Sequence, residues 1–362
     1  MSKTKCAAAL LAGLLSPWAM AEPNVTLFGI ADAGIGIIDV GGSGNSTALR
    51  VDSGYQSTGR WGIRGSEDLG GGYKAFFKAE GEVGWDTGGG DGGGGNALNF
   101  ARGSYVGVEG RFGQVWLGRD YVSGYPAMQE VDILRYGLFG NLLTFLSGYQ
   151  GATVNGVTYG AVSGMQTRTS NGIFYKTPNF GGHVIQAHFG VGERYAAPKS
   201  GGNHTGVSWI FASGPWSASA WFHQRRTVVA PDDSLLKTKE YGGGGGYKFG
   251  PAKVVLGAGV ADPDGPRKLT FYNVGGSLRA GAGTVYLQFT RMKEDASNAR
   301  GNSVSLSYTY PLSKRTNLYA TAGTTRNNTT GAYVLRGAGV AYAAGEPGAD
   351  QKGLAFGVRH FF

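Results

Sequence analysis

Cysteine is almost absent from this sequence: Cys6 is the only one in 362 residues. A chain with one cysteine forms no internal disulfide and no zinc site built on several thiolates. Cys6 also precedes an apolar run near the N-terminus, a position that argues against lipid attachment there. Long apolar segments are scarce too, and the mean hydropathy is −0.17. Because a membrane-spanning helix needs about 20 apolar residues, the composition excludes a bundle of such helices.

The N-terminal segment has the parts of a secretory signal. Lys3 and Lys5 precede an apolar run over residues 7–15, and the small residues Ala19 and Ala21 follow it. The run is too short to cross a bilayer as a helix, so an anchor is the weaker interpretation. We therefore predict that the segment is removed during export.

Cleavage before Glu22 would separate a signal peptide, residues 1–21, from a mature chain, residues 22–362. The mature chain keeps 31 of the 33 Lys and Arg residues against 24 Asp and Glu, a net charge of +7. The excess is spread along the chain, and no block of like charge indicates a nucleic-acid partner. A mildly basic surface favours contact with anionic lipopolysaccharide and attracts small anionic solutes.

Glycine is abundant, with 67 residues, and 12% of the chain is aromatic. The glycines follow no collagen period. Glycine combined with tyrosine, phenylalanine and tryptophan is typical of sheets joined by tight turns. A membrane β-barrel has a mild mean hydropathy because only every second strand residue faces lipid.

Alternation with a period of two is the strongest local pattern. In residues 302–310, Ser303 and Ser305 share one face of an extended segment, and Val304 and Leu306 share the other. Such alternation predicts a strand with one polar and one apolar face.

A second alternating segment, residues 73–83, carries charge on one face. Lys74, Lys78, Glu80 and Glu82 lie on that face, and the opposite face is mainly apolar. A soluble sheet would turn the charged face to bulk water, whereas a barrel would turn it to a water-filled lumen. Ion pairing is the simpler account of the two glutamates than paired carboxylates for catalysis.

The last segment favours the barrel. Residues 353–362 alternate and end on the aromatic Phe362, with no polar tail after it. An unpaired strand edge invites aggregation, and a barrel removes that edge by pairing its last strand with its first. The first predicted strand, 25–38, begins soon after the predicted cleavage site, so both ends of the mature chain are strands.

Counting candidate strands along the chain gives sixteen, of which some alternate poorly, notably 269–280. An even number of strands places both termini on the periplasmic side, and sixteen strands leave an aqueous channel. The predicted fold is all-β, a 16-stranded antiparallel transmembrane β-barrel. The predicted strands are 25–38, 58–68, 72–86, 98–110, 113–120, 169–177, 183–194, 203–213, 216–226, 238–249, 252–262, 269–280, 283–293, 300–310, 316–327 and 353–362.

Short and long connections alternate, as expected for periplasmic turns and outside loops. The third long connection, 121–168, is too long for a structureless loop in a compact domain. Residues 128–145 within it are rich in apolar side chains. We therefore expect this connection to fold into the lumen and pack on the wall, the alternative being a surface loop that packs on its neighbours.

Several motifs, in order and from end to end, resemble general porins of Gram-negative bacteria of the Neisseria and Bordetella kind. Each motif is weak alone, and together at these spacings they are specific. They are VTLFGIADAG (25–34), GRWGIRGSEDLGGG (59–72), RGSYVG (102–107), FGQVWLGR (112–119), YKTPNFGG (175–182), LSKRTNLYA (312–320) and GVRHFF (357–362).

The resemblance implies a homotrimer of sixteen-stranded barrels in which the third outside loop, here 121–168, constricts each pore. In such porins, wall arginines face acidic groups on the loop. Arg60, Arg102 and Arg119 match the family's arginine positions, and Arg64, Lys74, Lys78 and Arg168 are candidates by strand position and parity. The corresponding acids are Asp120, Glu130 and Asp132, with Arg135 among them.

The arginine excess predicts passive diffusion of small hydrophilic solutes with a weak preference for anions. Residues 137–148 are more apolar than the family leads us to expect, which bears on the detail of the constriction. A substrate-selective pore with an anion site at the constriction is the main alternative. An outer-membrane enzyme is a weaker one, since no nucleophile motif occurs, and an adhesin role of the outside loops is compatible with a pore.

No cofactor or metal site is expected. The histidines are scattered along the chain and show no metal-ligand spacing. They are His183, His188, His204, His223 and His360.

Overall fold

The computed structural model describes residues 24–44, 47–90, 99–154, 156–229 and 233–362. The predicted signal peptide, residues 1–21, lies outside the described residues. None of the helices in the described part of the chain is long and apolar enough to cross a membrane.

Sixteen antiparallel strands follow one another around a single closed barrel, each hydrogen-bonded to the strands before and after it. The fold class predicted from the alternation is therefore confirmed. The strands are β1 (Asn24–Asp39), β2 (Arg60–Gly70), β3 (Tyr73–Glu82), β4 (Gly103–Gly110), β5 (Gly113–Tyr121), β6 (Arg168–Lys176), β7 (His183–Gly190), β8 (His204–Ser213), β9 (Trp216–Val229), β10 (Ser234–Phe249), β11 (Ala252–Pro263), β12 (Leu269–Ala280), β13 (Gly283–Glu294), β14 (Ala299–Pro311), β15 (Thr316–Asn327) and β16 (Gln351–Phe361).

The barrel closes by pairing its last strand with its first. β16 runs antiparallel to β1, with Phe361 opposite Ile30 and Lys352 opposite Asp39. The terminal Phe362 continues the ladder, because its backbone exchanges two hydrogen bonds with Gly29, at 3.0 and 3.1 Å. No free strand edge is left at the C-terminus, which is how closure avoids aggregation.

The two faces of the barrel strands differ in polarity. In β14, Val304 and Leu306 are exposed at 41% and 56%, whereas Ser303 and Ser305 are buried. Exposed apolar side chains of this kind recur around the barrel. They form the face that meets lipid in a membrane barrel, and we call the opposite side the polar face.

Aromatic side chains cluster next to the short turns. The Trp216 and Tyr247 rings meet edge to face with centroids 4.4 Å apart, and Tyr73 lies 6.3 Å from Phe112. An amphipathic ring is stabilised at the boundary between lipid and water. These pairs therefore mark one rim of the membrane band.

The short turns are built on glycine. The two-residue turns at 250–251 and 281–282 place Gly250 and Gly281 at φ values of 55° and 61°, a region that costs energy for residues with a Cβ. The longer connections lie at the other end of the strands. Three of them are shorter than predicted, because β9, β10, β11, β13 and β14 extend into segments 227–237, 263–268 and 294–299.

Some connections contain strands that the sequence pattern did not predict. Ala48–Ser53 pairs with residues 33–38 of β1, the part of that strand that extends beyond its pairing with β2. Two small hairpins, Ala152–Val154 with Val157–Tyr159 and Leu335–Arg336 with Ala341–Tyr342, lie in longer connections.

The first part of the connection between β5 and β6, residues 122–149, is largely buried. It contains two short helices, α1 (Gly124–Glu130) and α2 (Leu143–Ser147). Its backbone bonds to the polar faces of distant strands: Asn273 donates to the Val131 carbonyl, and Gln288 accepts from the Ile133 N–H. The apolar side chains of this connection supply much of the molecule's buried core.

Candidate functional site

A cavity of about 820 Å³ lies between the wall strands β2, β3, β5, β6 and β16 and the connections that follow β1, β3, β5 and β15. Its charge is one-sided. Among the described residues that line it, Glu82 is the only carboxylate, against six arginines. The arginines are Arg60, Arg102, Arg135, Arg168, Arg336 and Arg359.

Arg102 is the most firmly held of the wall arginines. Its side chain is 4% exposed, and its Nε and Nη1 lie 2.9 and 3.0 Å from carboxylate oxygens of Glu80 and Glu82. Arg60 approaches the same Glu80 at 3.7 Å. Glu80, which lies outside the cavity lining, thus neutralises part of the charge of these two arginines.

Tyr121, on β5, joins two of these arginines. Its hydroxyl accepts hydrogen bonds from Arg102 at 3.0 Å and from Arg168 at 2.7 Å. The Arg168 guanidinium also lies over the Tyr121 ring, 4.3 Å from its centroid. The ring stacks on Tyr125 of α1 at 4.1 Å. The wall and the β5–β6 connection are therefore coupled at the cavity.

The β5–β6 connection contributes Arg135, whose guanidinium lies 3.1 Å from Glu130 and also bonds Gln129. The side chain remains 53% exposed. Arg135 has a φ of 49° and Tyr136 a φ of 67°, conformations that cost residues other than glycine energy. The surrounding hydrogen bonds hold this strained turn and present Arg135 to the cavity.

Asp132 supplies those hydrogen bonds. Its carboxylate accepts from the backbone N–H groups of Leu134, Tyr136 and Leu142, at 3.1, 2.9 and 3.0 Å. The side chain is 1% exposed, and burial raises the pKa of the Asp132 carboxyl above its usual value. Asp132 therefore organises the connection from within and does not line the cavity.

The remaining predicted residues lie outside the cavity lining. Arg119 bonds the Ala101 carbonyl and Ser170, and Asp120 accepts from Trp116 on its own strand. Lys78 pairs with Glu80 at 3.4 Å. Arg64 and Lys74 are exposed, with Arg64 lying over the Phe28 ring. The structure thus brings Arg60, Arg102 and Arg168 together and leaves these five elsewhere on the wall.

Sequence reasoning missed Arg336 and Arg359. Arg336 lies in the connection before β16, donates to Ser147 of α2, and has its pKa lowered by burial. Arg359 bonds Asn317 and Ser57. Arg359 lies in the GVRHFF motif, and the alternation of that strand places Arg359 on the polar face, so the sequence did contain a signal for this residue. Nothing local marked Arg336.

The histidines are not scattered in space, contrary to the expectation from their spacing. His188, His204 and His223 meet on three adjacent strands, with ring centroids 4.7 to 5.4 Å apart. Metal-ligand spacing rules describe ligands on one segment, whereas strand register brings distant residues together.

Comparison with known protein families identifies the chain. A family model described as Gram-negative porin matches residues 7–330. The chain belongs to the Gram-negative porin family. The resemblance found in the motifs is thereby confirmed, and this porin is an outer-membrane β-barrel that forms a channel for passive diffusion.

Individual relatives agree. The porin is 35% identical to outer membrane porin protein 32 of Delftia acidovorans over the full length of both chains. It is 30% identical to an outer membrane porin protein of Bordetella pertussis, covering 90% of this chain and 95% of that one.

Among solved structures, the porin resembles an anion-selective porin from Comamonas acidovorans. The TM-score is 0.81 at 32% identity, covering 94% of this chain and all of the other. The fold also matches a trimer form of OmpT, an outer membrane protein of Vibrio cholerae, with a TM-score of 0.66 at 15% identity over 94% and 99% of the two chains.

Proposed function

We propose that the arginine-lined cavity is the constriction of the pore and that it gives the porin a weak preference for small anions. The main support is that six arginines and only one carboxylate are among the described residues that line this cavity. A unit charge about 5 Å from an ion in water contributes about 0.8 kcal/mol, or roughly a fourfold change in local ion concentration. Several such charges in a confined passage favour anions, and salt weakens the effect.

The constriction requires the connection over residues 121–168 to lie inside the lumen. Its contacts with the polar faces support this placement. The Phe139 N–H donates to Thr321 of β15 at 3.1 Å, and Ser219 of β9 donates to the Ala127 carbonyl at 2.6 Å. A connection that bonds to both β9 and β15 spans the barrel interior. Buried backbone is tolerated there because the wall supplies its hydrogen-bond partners.

The test is the reversal potential of the refolded porin in a planar bilayer under a KCl gradient. We expect the sign that indicates chloride preference. Arg60→Gln should lower the chloride-to-potassium permeability ratio by up to about fourfold at low salt. Glu80 keeps Arg102 and Lys78 as partners in this variant, so no carboxylate is left unpaired.

Lys74→Gln is the matched control, because it removes the same charge from an exposed site outside the cavity. It should leave the ratio nearly unchanged. Cation preference of the unmodified porin would contradict the proposal, as would an equal shift in the Lys74 and Arg60 variants.

The family relationship and the trimer form of a structural relative support a homotrimer for this porin as well. Its environment would be outer-membrane lipid and lipopolysaccharide, with small hydrophilic solutes in the pore. No enzymatic activity is part of the proposal, because a passive channel needs no catalytic group.

A substrate-selective pore is the second candidate, favoured by the tyrosines that stack beside the arginines. Tyr125 lies 4.1 Å from Tyr121 and 4.5 Å from Tyr136. A rigid rim of rings and guanidinium groups suits one planar anion better than others. Saturable block of chloride current by a single organic anion would favour this candidate, and permeation that depends only on solute size would favour the general pore.

A further inference from the structure

A buried cluster of histidines and a glutamate lies in the barrel wall, away from the arginine-lined cavity. Strand register places His188, Gly206, His223 and Glu240 side by side on β7, β8, β9 and β10. His204 lies two residues before Gly206, on the same face of β8. The side chains of the three histidines and of Glu240 are at most 5% exposed.

The cluster has unsatisfied polar atoms, and such atoms in a buried position require an explanation. Among the described residues, no hydrogen-bond partner reaches His188 Nε2, either ring nitrogen of His204, His223 Nδ1 or Glu240 Oε2. The other Glu240 oxygen is held by Arg225 at 2.8 Å. These unpaired imidazole nitrogens and this carboxylate oxygen are atoms of the types that coordinate transition-metal ions.

Their geometry suits a small divalent cation. Ligand atoms of His204, His223 and Glu240 all lie within 4.8 Å of one another. His223 Nδ1 lies 3.6 Å from Glu240 Oε2. Ligands of a tetrahedral zinc ion at bond lengths of 2.0–2.1 Å are about 3.4 Å apart. A modest rotation of the side chains therefore brings the three ligand atoms to coordination distance.

Gly206 makes room for this arrangement. A Cβ at this position would lie 2.2 Å from Cδ2 of His223 and 2.5 Å from Cε1 of His188, so the two rings meet over a residue without a side chain. A separate cavity of about 420 Å³ adjoins the cluster at His204. It is lined by His204, by residues 225–228 of β9 and by residues of the neighbouring connections.

We propose that His204, His223 and Glu240 form a binding site for a divalent transition-metal ion such as Zn²⁺. Two imidazoles and one carboxylate are a donor set that zinc accepts, with a further position for His188 or water. The site is distinct from the arginine-lined cavity and does not depend on the proposed anion preference.

Metal binding is coupled to the base of the β5–β6 connection through His223. The Gly124 N–H donates to His223 Nε2 at 2.8 Å, and the Ser123 N–H donates to His188 Nδ1 at 3.1 Å. In the metal-free neutral ring, the His223 proton is therefore on Nδ1. A metal at Nδ1 moves that proton to Nε2, where the Ser123 hydroxyl lies 3.3 Å away and can accept it, whereas the hydrogen bond from the Gly124 N–H is lost. Binding therefore changes the attachment of α1 to the wall.

The experiment is titration of the refolded full-length mature porin with ZnCl₂, followed by calorimetry and by X-ray absorption at the zinc edge. We expect one saturable Zn²⁺ per chain with nitrogen and oxygen ligands. His204→Leu and Glu240→Gln should each weaken binding at least tenfold. His360→Leu, which removes a histidine from β16, should bind as the unmodified porin does.

Conductance supplies the second readout. Zn²⁺ should alter single-channel current in the unmodified porin and leave it unchanged in His204→Leu, a substitution that strands no described hydrogen-bond partner. Heat-modifiable mobility in SDS gels confirms that each variant is folded. Binding that is absent, or equally strong in His204→Leu, would overturn the site, and binding without any change in current would overturn its coupling to α1.

Discussion

Arg102 is held by residues of the wall and lines the cavity proposed as the constriction. Its three partners, Glu80, Glu82 and Tyr121, lie on β3 and β5, so its guanidinium is fixed before any solute arrives. A positioned charge of this kind acts on ions without reorganising, which is how fixed groups select ions in a pore. The same reasoning applies to Arg168, which Tyr121 also holds.

Asp132 does not line the cavity, but its loss should disturb the cavity most, because its carboxylate holds the connection that forms one side of it. Asp132→Ala leaves three buried backbone N–H groups without an acceptor, and each unpaired donor costs roughly 1–3 kcal/mol. We expect the connection over 122–149 to unfold locally while the barrel stays folded. Limited proteolysis should cut this segment, with the barrel still heat-modifiable in SDS gels.

Glu130→Gln is the matched control for that prediction, since it removes one exposed ion pair with Arg135. Such pairs contribute about 0–1 kcal/mol, so protease resistance should persist. Equal resistance of the Asp132 and Glu130 variants would show that Asp132 does not organise the connection.

Motif and parity together indicated Arg60, Arg102 and Arg168, which line one cavity. They also indicated Arg64, Lys74, Lys78 and Arg119, which do not, because strand alternation decides the face that a residue occupies and not its height along the strand. The same reasoning did not extend to the loop acids. Asp132 turned inwards to cap its own backbone, and no periodicity governs an irregular segment. The histidine cluster was missed for another reason: His188, His204 and His223 meet through register across three strands, which the spacing of residues in sequence does not encode.

At the scale of secondary structure, alternation together with the short turns predicted the sixteen strands of the barrel. A period of two arises because one side chain in two faces lipid and the next faces the interior, but the glycine run 242–246 in β10 shows no such contrast. Alternation also failed where strands extend beyond the membrane band. In Ala48–Ser53 the first four residues are all exposed and only Asp52 is buried, and the segment lies inside a long connection, so it was not predicted.

The polarity of the two faces leads to a prediction at this scale. Leu306 of β14 and Leu312 of the following turn are both 56% exposed. Leu306→Arg places a charge on the lipid face and should destabilise the barrel in lipid vesicles by about 2–4 kcal/mol. Leu312→Arg places the same charge at the water boundary and should cost at most about 1 kcal/mol.

Urea unfolding in vesicles measures both variants under the same conditions. A cost for Leu312→Arg that equals the cost for Leu306→Arg would contradict the assignment of the lipid-facing band.

At the scale of the whole molecule, the proposed homotrimer should be visible in the electrical record. Three barrels in one assembly provide three parallel paths, so voltage-induced closure should proceed in three equal steps. Planar-bilayer recording of the refolded porin at high voltage measures this. Consistent closure in a single step would contradict three independent pores.

The central claim is that ions pass the arginine-lined cavity. Residues 22–362 contain no cysteine, so a single thiol engineered in the barrel is the only one that reacts there. Arg135→Cys places that thiol at the cavity, and Leu306→Cys, on the lipid face, is the control.

The decisive measurement is single-channel selectivity of Arg135→Cys before and after reaction with methanethiosulfonate reagents of opposite charge. We predict that the negatively charged reagent lowers chloride preference, that the positively charged reagent restores it, and that Leu306→Cys responds to neither. Currents and reversal potentials in the Arg135 variant that remain unchanged after complete modification would show that ions do not pass the cavity.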